Sequence, residues 1–208
     1  MIANGQSCSM ELLGQLLEWN PYVLVLDGAL DRVLMNGIKV DAVLGDYDSL
    51  NVNRVSLDLE QQINWIHTPD QDFTDFDKGI EHLIDEGYSA VNVVWATGKR
   101  LDHAHNNLLS MARFHQQINI VLLDDYSKAF VLPRSYEKFY PSGTQLSLIP
   151  ITDAINIQTS GLRYPLDGED LRVPLRTGSS NEVPEDGLVR ILHDEGILCL
   201  MECIDDVY

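Results

Sequence analysis

Short apolar runs alternate with segments of helical periodicity from Tyr22 to about residue 125. This alternation is typical of repeated strand and helix units in which the strands lie parallel in one sheet. Four apolar runs are the candidate strands, at residues 22–26, 42–44, 91–96 and 118–123. Apolar residues at helical spacing fall in 10–18, 76–84 and 108–112. The sequence therefore predicts an α/β domain with a mostly parallel sheet and flanking helices.

The rhythm changes in the second half of the chain, where short alternating segments are separated by turn-forming residues. These residues are Pro133, Gly143, Gly161, Gly168, Gly178 and Gly187. Short strands without intervening helices are typical of a sandwich-like all-β domain. We therefore predict an α/β domain at 1–126 and a C-terminal β-domain at 127–208.

The chain is strongly acidic, with 14 Lys and Arg against 32 Asp and Glu and a formal net charge of -18. Such a charge repels nucleic acid and anionic lipid surfaces, so neither is an expected partner. The first ten residues lack the pattern of a secretion signal and no apolar run approaches bilayer length, so we expect a cytoplasmic protein. An anionic substrate could enter a carboxylate-rich site only with divalent cations in between.

Acidic residues follow the predicted strands at the points where these strands end. Asp27 and Gly28 come directly after the first strand, Asp46 and Asp48 come after the second, and Asp102 follows the strand at 91–96. The carboxyl ends of parallel strands share one edge of an open sheet, and ligands bind in the crevice beyond that edge. The sequence therefore predicts that these carboxylates converge on one site.

A further acidic segment at 70–77 precedes a predicted helix and contains Asp75. Carboxylates held close together without cationic partners raise one another's pKa, so such a cluster usually holds a hard cation. Ligands that are all oxygens favour magnesium over zinc. Two alternatives stay open: Thr74 and Asp77 could form a variant capping box at a helix start, and residues 46–49 could form an exposed turn.

Phosphate groups would have to be held without either of the common glycine-rich loops, since neither pattern occurs in the sequence. Gly98, Lys99 and Arg100 lie between a predicted strand and a predicted helix, where free backbone N–H groups and two cations come together. Lys78 could add a further positive charge. The alternative for Lys78 and Lys99 is that they are solvated surface lysines.

With these segments in order, the sequence resembles the thiamine pyrophosphokinases over nearly the entire chain. Several motifs carry the resemblance through their order and spacing together. They are Asp27-Gly28-Ala29, the segments 45–49 and 68–78, Gly98 to His103 with Asn107, and in the second half the segments 146–150, 161–166 and 179–181.

The resemblance implies an enzyme that transfers diphosphate from ATP to the hydroxyethyl group of thiamine, giving thiamine diphosphate and AMP. It also implies a homodimer and a Mg²⁺ requirement. The implied catalytic residues and magnesium ligands are Asp46, Asp48, Asp75 and Asp102. The implied contacts to ATP are Asp27, Gly28, Thr74, Lys78 and Arg100, and those to thiamine are Gln71, Ser180 and Asn181.

The chain departs from the family pattern at three positions. Ala29 and Lys99 stand where the family often has glycine, and Tyr47 stands where it often has phenylalanine. Lys99 adds a charge beside the expected phosphate site. Ala29 allows fewer backbone conformations at its position than glycine would. Tyr164 is a candidate aromatic platform for thiamine, with ordinary packing in the β-domain as the alternative.

Other functions remain open for a chain with this set of aspartates. The same transfer could use another small alcohol, such as a hydroxymethylpterin. Paired aspartates could instead serve a magnesium-dependent phosphohydrolase that needs no alcohol acceptor. A regulator that binds a nucleotide or thiamine without turnover would be a non-enzymatic function, although binding alone does not need so many metal ligands.

Overall fold

The computed structural model describes residues 1–47 and 62–204. The chain divides into two compact units. The first contains the residues up to Ser110 together with Gln116–Ile118, and the second contains Met111–His115 and the chain from Asn119 onward. The predicted division between residues 126 and 127 stays a prediction. None of the helices in the described part of the chain is long and apolar enough to cross a membrane.

The first unit contains a parallel sheet, as the sequence predicted. Strands β1 (Leu24–Leu26), β2 (Ala42–Gly45) and β3 (Asn64–His67) pair in parallel in the order β1-β2-β3. Every residue of β1 and β2 is buried, which matches the continuous apolar runs of a sheet that is covered on both faces. Strand β4 (Ala90–Val94) belongs to the same unit.

The first residues of the chain lie between β1 and β4. Ile2 forms parallel bridges to Val25 and to Val94, and its backbone N–H donates to the Leu24 carbonyl at 2.8 Å. The Ala3 N–H donates to the Val94 carbonyl at 3.0 Å. This segment therefore connects the two strands whose ends carry the polar clusters.

Four α-helices occur in the described part of the first half: α1 (Met10–Leu17), α2 (Leu30–Met35), α3 (Asp75–Asp85) and α4 (Leu101–Phe114). A 3₁₀ helix at Asp27–Ala29 directly precedes α2. Helix α1 begins where the Ser9 hydroxyl accepts from the Leu12 N–H at 3.3 Å, as an N-cap does. Helix α3 ends before Gly87, whose φ of 83° is a conformation that glycine adopts without strain. Helix α2 was not predicted, because six residues are too few to show a helical period.

The second unit is a β-domain made of two antiparallel sheets. One has the order β10-β9-β12-β7, and the other has the order β11-β8-β13-β6-β5 within this unit. The strands are β5 (Asn119–Leu123), β6 (Ser127–Val131), β7 (Ser135–Tyr140), β8 (Gln145–Pro150), β9 (Ala154–Ser160), β10 (Asp167–Leu171), β11 (Gly178–Glu182), β12 (Gly187–Leu192) and β13 (Leu198–Cys203).

The core of this unit is built from both sheets. Leu148 of β8 and Leu200 of β13 pack in one buried cluster with Ile157 of β9 and Val189 of β12. Burial of each such side chain contributes roughly 1.5–3 kcal/mol to stability. The predicted fold class, a parallel α/β domain followed by a sandwich-like β-domain, is confirmed.

Candidate functional site

A cleft of about 500 Å³ lies at the carboxyl ends of β1 and β2, beside the turn after β4 and the start of α3. Residues from all four predicted polar clusters line it. The charged ones are Asp27, Asp46, Asp72, Asp75, Lys78, Lys99 and Arg100. Segments far apart in the sequence therefore meet at one edge of the sheet, within the first unit. Asp48 lies outside the described residues.

Asp27 uses both carboxylate oxygens to hold backbone groups. Oδ1 accepts from the Gly28 N–H at 2.5 Å, and Oδ2 accepts from the Tyr47 N–H at 3.0 Å. Its side chain is only 6% exposed. Burial raises the pKa of Asp27, and the nearby charges of Asp75 and Asp46 raise it further, whereas the two N–H donors act in the opposite direction. The structure thus gives Asp27 the role of fixing the turn that carries Asp46.

Tyr47 adopts a left-handed backbone conformation with φ of 64°. Such a conformation in a bulky residue costs of order 1–3 kcal/mol and persists only where neighbours enforce it. The Tyr47 ring lies 5.5 Å from both the Trp65 and the His67 rings, and its hydroxyl donates to the Val43 carbonyl at 3.3 Å. Burial raises the pKa of Tyr47 to about 12, so the hydroxyl keeps its proton as a donor.

Gln71 is placed against the carboxylate of Asp46. Its Nε2 donates to Asp46 Oδ2 at 3.0 Å, and both side chains line the cleft. The structure therefore connects the segment at 70–77 with the turn after β2. The alternative that residues 46–49 form only an exposed turn does not account for this contact.

The first turn of α3 combines capping with side chains that face the cleft. The Thr74 hydroxyl accepts from the Asp77 N–H at 3.3 Å and donates to Asp77 Oδ2 at 3.1 Å, so the capping alternative is correct for these two residues. Lys78 is 9% exposed, and its Nζ lies 3.0 Å from the Thr68 carbonyl and 3.1 Å from Asp75 Oδ1. The solvated-lysine alternative is therefore wrong for Lys78.

The turn after β4 is tied to helix α4 by Asn107, whose buried Nδ2 donates to the Ala96 carbonyl at 2.7 Å. Arg100 and Asp102 form a two-point ion pair, with Nη2–Oδ2 at 2.5 Å and Nε–Oδ1 at 3.1 Å. This pairing holds the pKa of Asp102 at about 2. Asp102 is 62% exposed and lies outside the lining of the cleft, whereas Arg100 is part of that lining.

The predicted thiamine contacts of the second half lie in the second unit. The Ser180 N–H donates to Ser147 Oγ at 3.0 Å. Asn181 is 7% exposed, and its amide accepts from the Tyr164 N–H at 3.1 Å and donates to the Tyr164 carbonyl at 2.7 Å. Asn181 therefore holds the turn that presents Tyr164, whose side chain is 65% exposed.

Asn4 and Gly5 also line the cleft, although the sequence reasoning did not single them out. An Asn-Gly pair is a recognised turn signal, so it could have marked the end of the bridged segment at residues 1–3. His103 lines the cleft as well, from the first turn of α4.

The donor chemistry of the cleft fits a hard divalent cation, because its acidic ligands are carboxylates. Within residues 1–47 and 62–204, however, no three His, Cys, Asp or Glu side chains come together closely enough to hold a metal ion. Asp46 and Asp75, two of the predicted magnesium ligands, line the cleft. A complete set needs a further ligand, for which Asp48 is the sequence candidate.

Two family models match the chain. The model described as "Thiamin pyrophosphokinase, catalytic domain" matches residues 13–122, and "Thiamin pyrophosphokinase, vitamin B1 binding domain" matches residues 132–198. The chain is 31% identical to thiamine pyrophosphokinase 2 of Arabidopsis thaliana over 183 residues, covering 80% of this chain and 66% of that protein. It is 30% identical to thiamine pyrophosphokinase 1 of Oryza sativa subsp. japonica over 182 residues, with coverage of 81% and 67%. The chain thus spans about two thirds of the length of these plant relatives.

Solved structures share the fold over almost the whole chain. Thiamin pyrophosphokinase from Geobacillus thermodenitrificans superposes with a TM-score of 0.84 at 21% identity, covering 99% of this chain and 97% of that one. Thiamin pyrophosphokinase from Candida albicans gives a TM-score of 0.80 at 14% identity, with coverage of 98% and 88%. At these identities the likeness establishes the fold.

Proposed function

This chain belongs to the thiamine pyrophosphokinase family, and on that premise we propose that it transfers diphosphate from ATP to thiamine, giving thiamine diphosphate and AMP. The observation that carries the proposal is the cleft at the sheet edge, where Asp46 and Asp75 meet Lys99 and Arg100. A site with both signs of charge suits a cationic acceptor and a polyphosphate donor together. The thiazolium ring of thiamine carries a fixed positive charge, and the carboxylates would stabilise it.

The reaction joins the hydroxyethyl oxygen of thiamine to the β-phosphorus of ATP and breaks the bond from that phosphorus to the oxygen shared with the α-phosphate. AMP leaves with the electron pair of the broken bond, and the hydroxyl proton passes to a base or to solvent. Asp75 lines the cleft and is a candidate acceptor for this proton, although its carboxylate is paired with Lys78. Asp102 is a weak base because Arg100 holds its pKa at about 2. Positioning and charge neutralisation supply most of the acceleration in reactions of this kind.

Asp46 and Asp75, together with Asp48, would hold Mg²⁺, and Asp102 could join them if its ion pair with Arg100 opened. Mg²⁺ bound there would neutralise charge on the polyphosphate. Asp27 would fix the loop that presents Asp46. The predicted ATP contacts Thr74, Lys78 and Arg100 line the cleft, and Gly28 directly follows Asp27 of the lining.

Gln71 is proposed to contact thiamine through the free face of its amide while it also orients Asp46. From the second unit, Ser180 is proposed to contact thiamine directly, and Asn181 would act mainly by holding Tyr164 in place. We also propose a homodimer in the cytoplasm, as the family resemblance implies.

The decisive assay measures AMP formed from ATP with and without thiamine and magnesium. Thiamine-dependent AMP release supports the proposal, whereas release of inorganic phosphate without an alcohol acceptor would identify a phosphohydrolase instead. Replacing thiamine by a hydroxymethylpterin tests the other acceptor class. A chain that binds its ligands but never turns over would be a regulator.

The first variant to test is Asp46→Asn, which keeps the shape of the side chain but removes its charge. We expect kcat to fall by a factor of at least about 100, the scale of losing one electrostatic contact in a transition state. The far-ultraviolet circular dichroism should match the wild type. Near-normal turnover would remove Asp46 from the site.

A further inference from the structure

The segment Asn4–Ser7, here called the N-terminal wall, forms one side of the cleft and is fixed to the turn after β4. The Gly5 N–H donates to the Trp95 carbonyl at 2.5 Å, and the Gln6 N–H donates to the Thr97 carbonyl at 2.7 Å. A Cβ atom on residue 5 would lie 2.3 Å from the Trp95 and Thr97 carbonyl oxygens. The close approach of the two backbones therefore requires glycine here.

Arg32 of α2 donates hydrogen bonds to three residues of this wall. Its Nη1 donates to the Gly5 carbonyl at 2.9 Å and to Ser7 Oγ at 3.0 Å, and its Nη2 donates to Asn4 Oδ1 at 2.9 Å. The guanidinium also lies 4.6 Å from the centroid of the Trp95 ring, which is a cation–π distance. Three hydrogen bonds from the Arg32 guanidinium therefore fix the wall, and the contact with Trp95 fixes the guanidinium.

The contact with Arg32 determines how the Asn4 amide is oriented. A guanidinium can only donate, so the atom of Asn4 that faces it must be the carbonyl oxygen Oδ1. The NH₂ group then points the other way, over Gly28, where a Cβ atom on residue 28 would meet Asn4 Nδ2 at 2.1 Å. Asn4 lines the cleft, and its NH₂ group has no hydrogen-bond partner within the described ranges.

Two cationic side chains lie on the Asn4 side of this site, since Arg32 contacts Asn4 and its charge acts on Lys99. Lys99 lines the same cleft, and burial together with the charge of Arg32 lowers the pKa of Lys99. Asn4 thus offers two N–H donors to the cleft, while its Oδ1 faces Arg32. A phosphoryl oxygen carries negative charge and accepts hydrogen bonds from such donors.

We propose that Asn4 is a phosphate-binding residue of this cleft and that Arg32 is its positioning residue. The Asn4 NH₂ group donates to a phosphoryl oxygen of the nucleotide, and Lys99 supplies charge beside it. This inference rests on the proposed function in that the nucleotide is ATP before transfer and AMP after it. It adds a phosphate contact to the cleft that Asp46 and Asp75 also line.

The test is a calorimetric titration of the full chain with AMP, comparing the wild type with Asn4→Asp. The substitution keeps the size of the side chain and its contact with Arg32 but replaces both donors by an oxygen. We expect AMP affinity to fall about 10- to 100-fold, the range for a hydrogen bond to a charged group. Thiamine affinity should stay within about twofold. The matched control is Asn92→Asp, the same chemical change on an exposed residue of β4 that does not line the cleft.

The positioning role of Arg32 is tested by Arg32→Lys, which keeps the charge but cannot reach three acceptors. We expect the KM for ATP to rise with the KM for thiamine unchanged, and unfolding in urea will show whether the fold persists. An AMP affinity of Asn4→Asp within twofold of the wild type would overturn the proposal, as would an equal loss in Asn92→Asp or no AMP binding by the wild type. If AMP binding responds as expected but thiamine never triggers AMP release, only the proposed function fails.

Discussion

Gly45 is the residue whose replacement should show how the acidic site is supported. It is the last residue of β2 and packs directly against Asp27. A Cβ atom on residue 45 would lie 2.3 Å from both Cγ and Oδ2 of Asp27. The Asp27 carboxylate cannot swing away freely, because the Gly28 and Tyr47 N–H groups hold its two oxygens.

Gly45→Ala must therefore move backbone or break these hydrogen bonds. Restoring an ordinary carbon contact needs a displacement of about 1 Å between β2 and Asp27. Overpacking of this kind costs roughly 1–3 kcal/mol of unfolding free energy. Because Asp46 follows Gly45 directly, a 1 Å shift there should also lower kcat by about 100-fold.

Urea unfolding followed by circular dichroism measures the first effect, and thiamine-dependent AMP release measures the second. The matched control is Gly14→Ala in helix α1, where an added Cβ atom meets nothing within 4 Å. That variant should gain about 0.5–1 kcal/mol and keep full activity.

A double-mutant cycle identifies the source of the cost. In an Asp27→Gly background the clashing atoms are gone, so Gly45→Ala should become nearly neutral for stability. An equal cost of Gly45→Ala in both backgrounds, or no cost in the wild type, would refute the reasoning that Asp27 and Gly45 form one packed support.

Two further predictions concern the second unit. Asn181→Leu should lower the unfolding free energy by about 1–3 kcal/mol, since it leaves the Tyr164 backbone groups without their partner. Urea unfolding measures this loss. The control is Tyr164→Ala, which changes an exposed side chain and should leave the unfolding free energy nearly unchanged. Burial lowers the pKa of His193 below its ordinary 6.5, and the Arg134 guanidinium lies 3.0 Å from its Nδ1. As the pH falls through 6.5, the unfolded chain therefore binds more protons at His193 than the folded chain does. The wild type should therefore lose stability relative to His193→Gln between pH 7 and pH 5, and parallel pH profiles would contradict this.

The fold was largely predictable because both halves carry strong local signals. Buried parallel strands read as apolar runs, as at 42–44, and the turn residues of the second half mark the ends of its strands. Strand β3 was missed because Asn64 to His67 mixes polar and aromatic residues and is only partly buried. Its place in the sheet is set by parallel pairing with β2, which is a tertiary contact rather than a local pattern.

The site was predictable in its convergence and less so in the contacts of each residue. Asp75, from the separate acidic segment at 70–77, lines the cleft. The rule that ligands bind beyond the carboxyl ends of parallel strands placed Asp27 and Asp46 correctly at this cleft, but Asp102, which it also placed there, lies outside the lining. It could not show that the Asp27 carboxylate oxygens accept from backbone N–H groups, because that depends on contacts across about twenty residues of sequence. The orientation of the Asn4 amide could not be predicted from the sequence either, since it depends on a guanidinium 28 positions away.

These contacts also change the charge problem posed by so acidic a chain. Asp75 is paired with the buried Lys78, and Asp102 is neutralised by Arg100. Asp27 is held by backbone donors inside the protein, Gln71 orients Asp46, and Asp72 also lines the cleft. The cleft is therefore much less negative than its sequence suggests, and Lys99 adds positive charge on the side of the N-terminal wall. Under the proposed function, the polyphosphate would lie toward these cations, and Mg²⁺ would be held by Asp46 and Asp75.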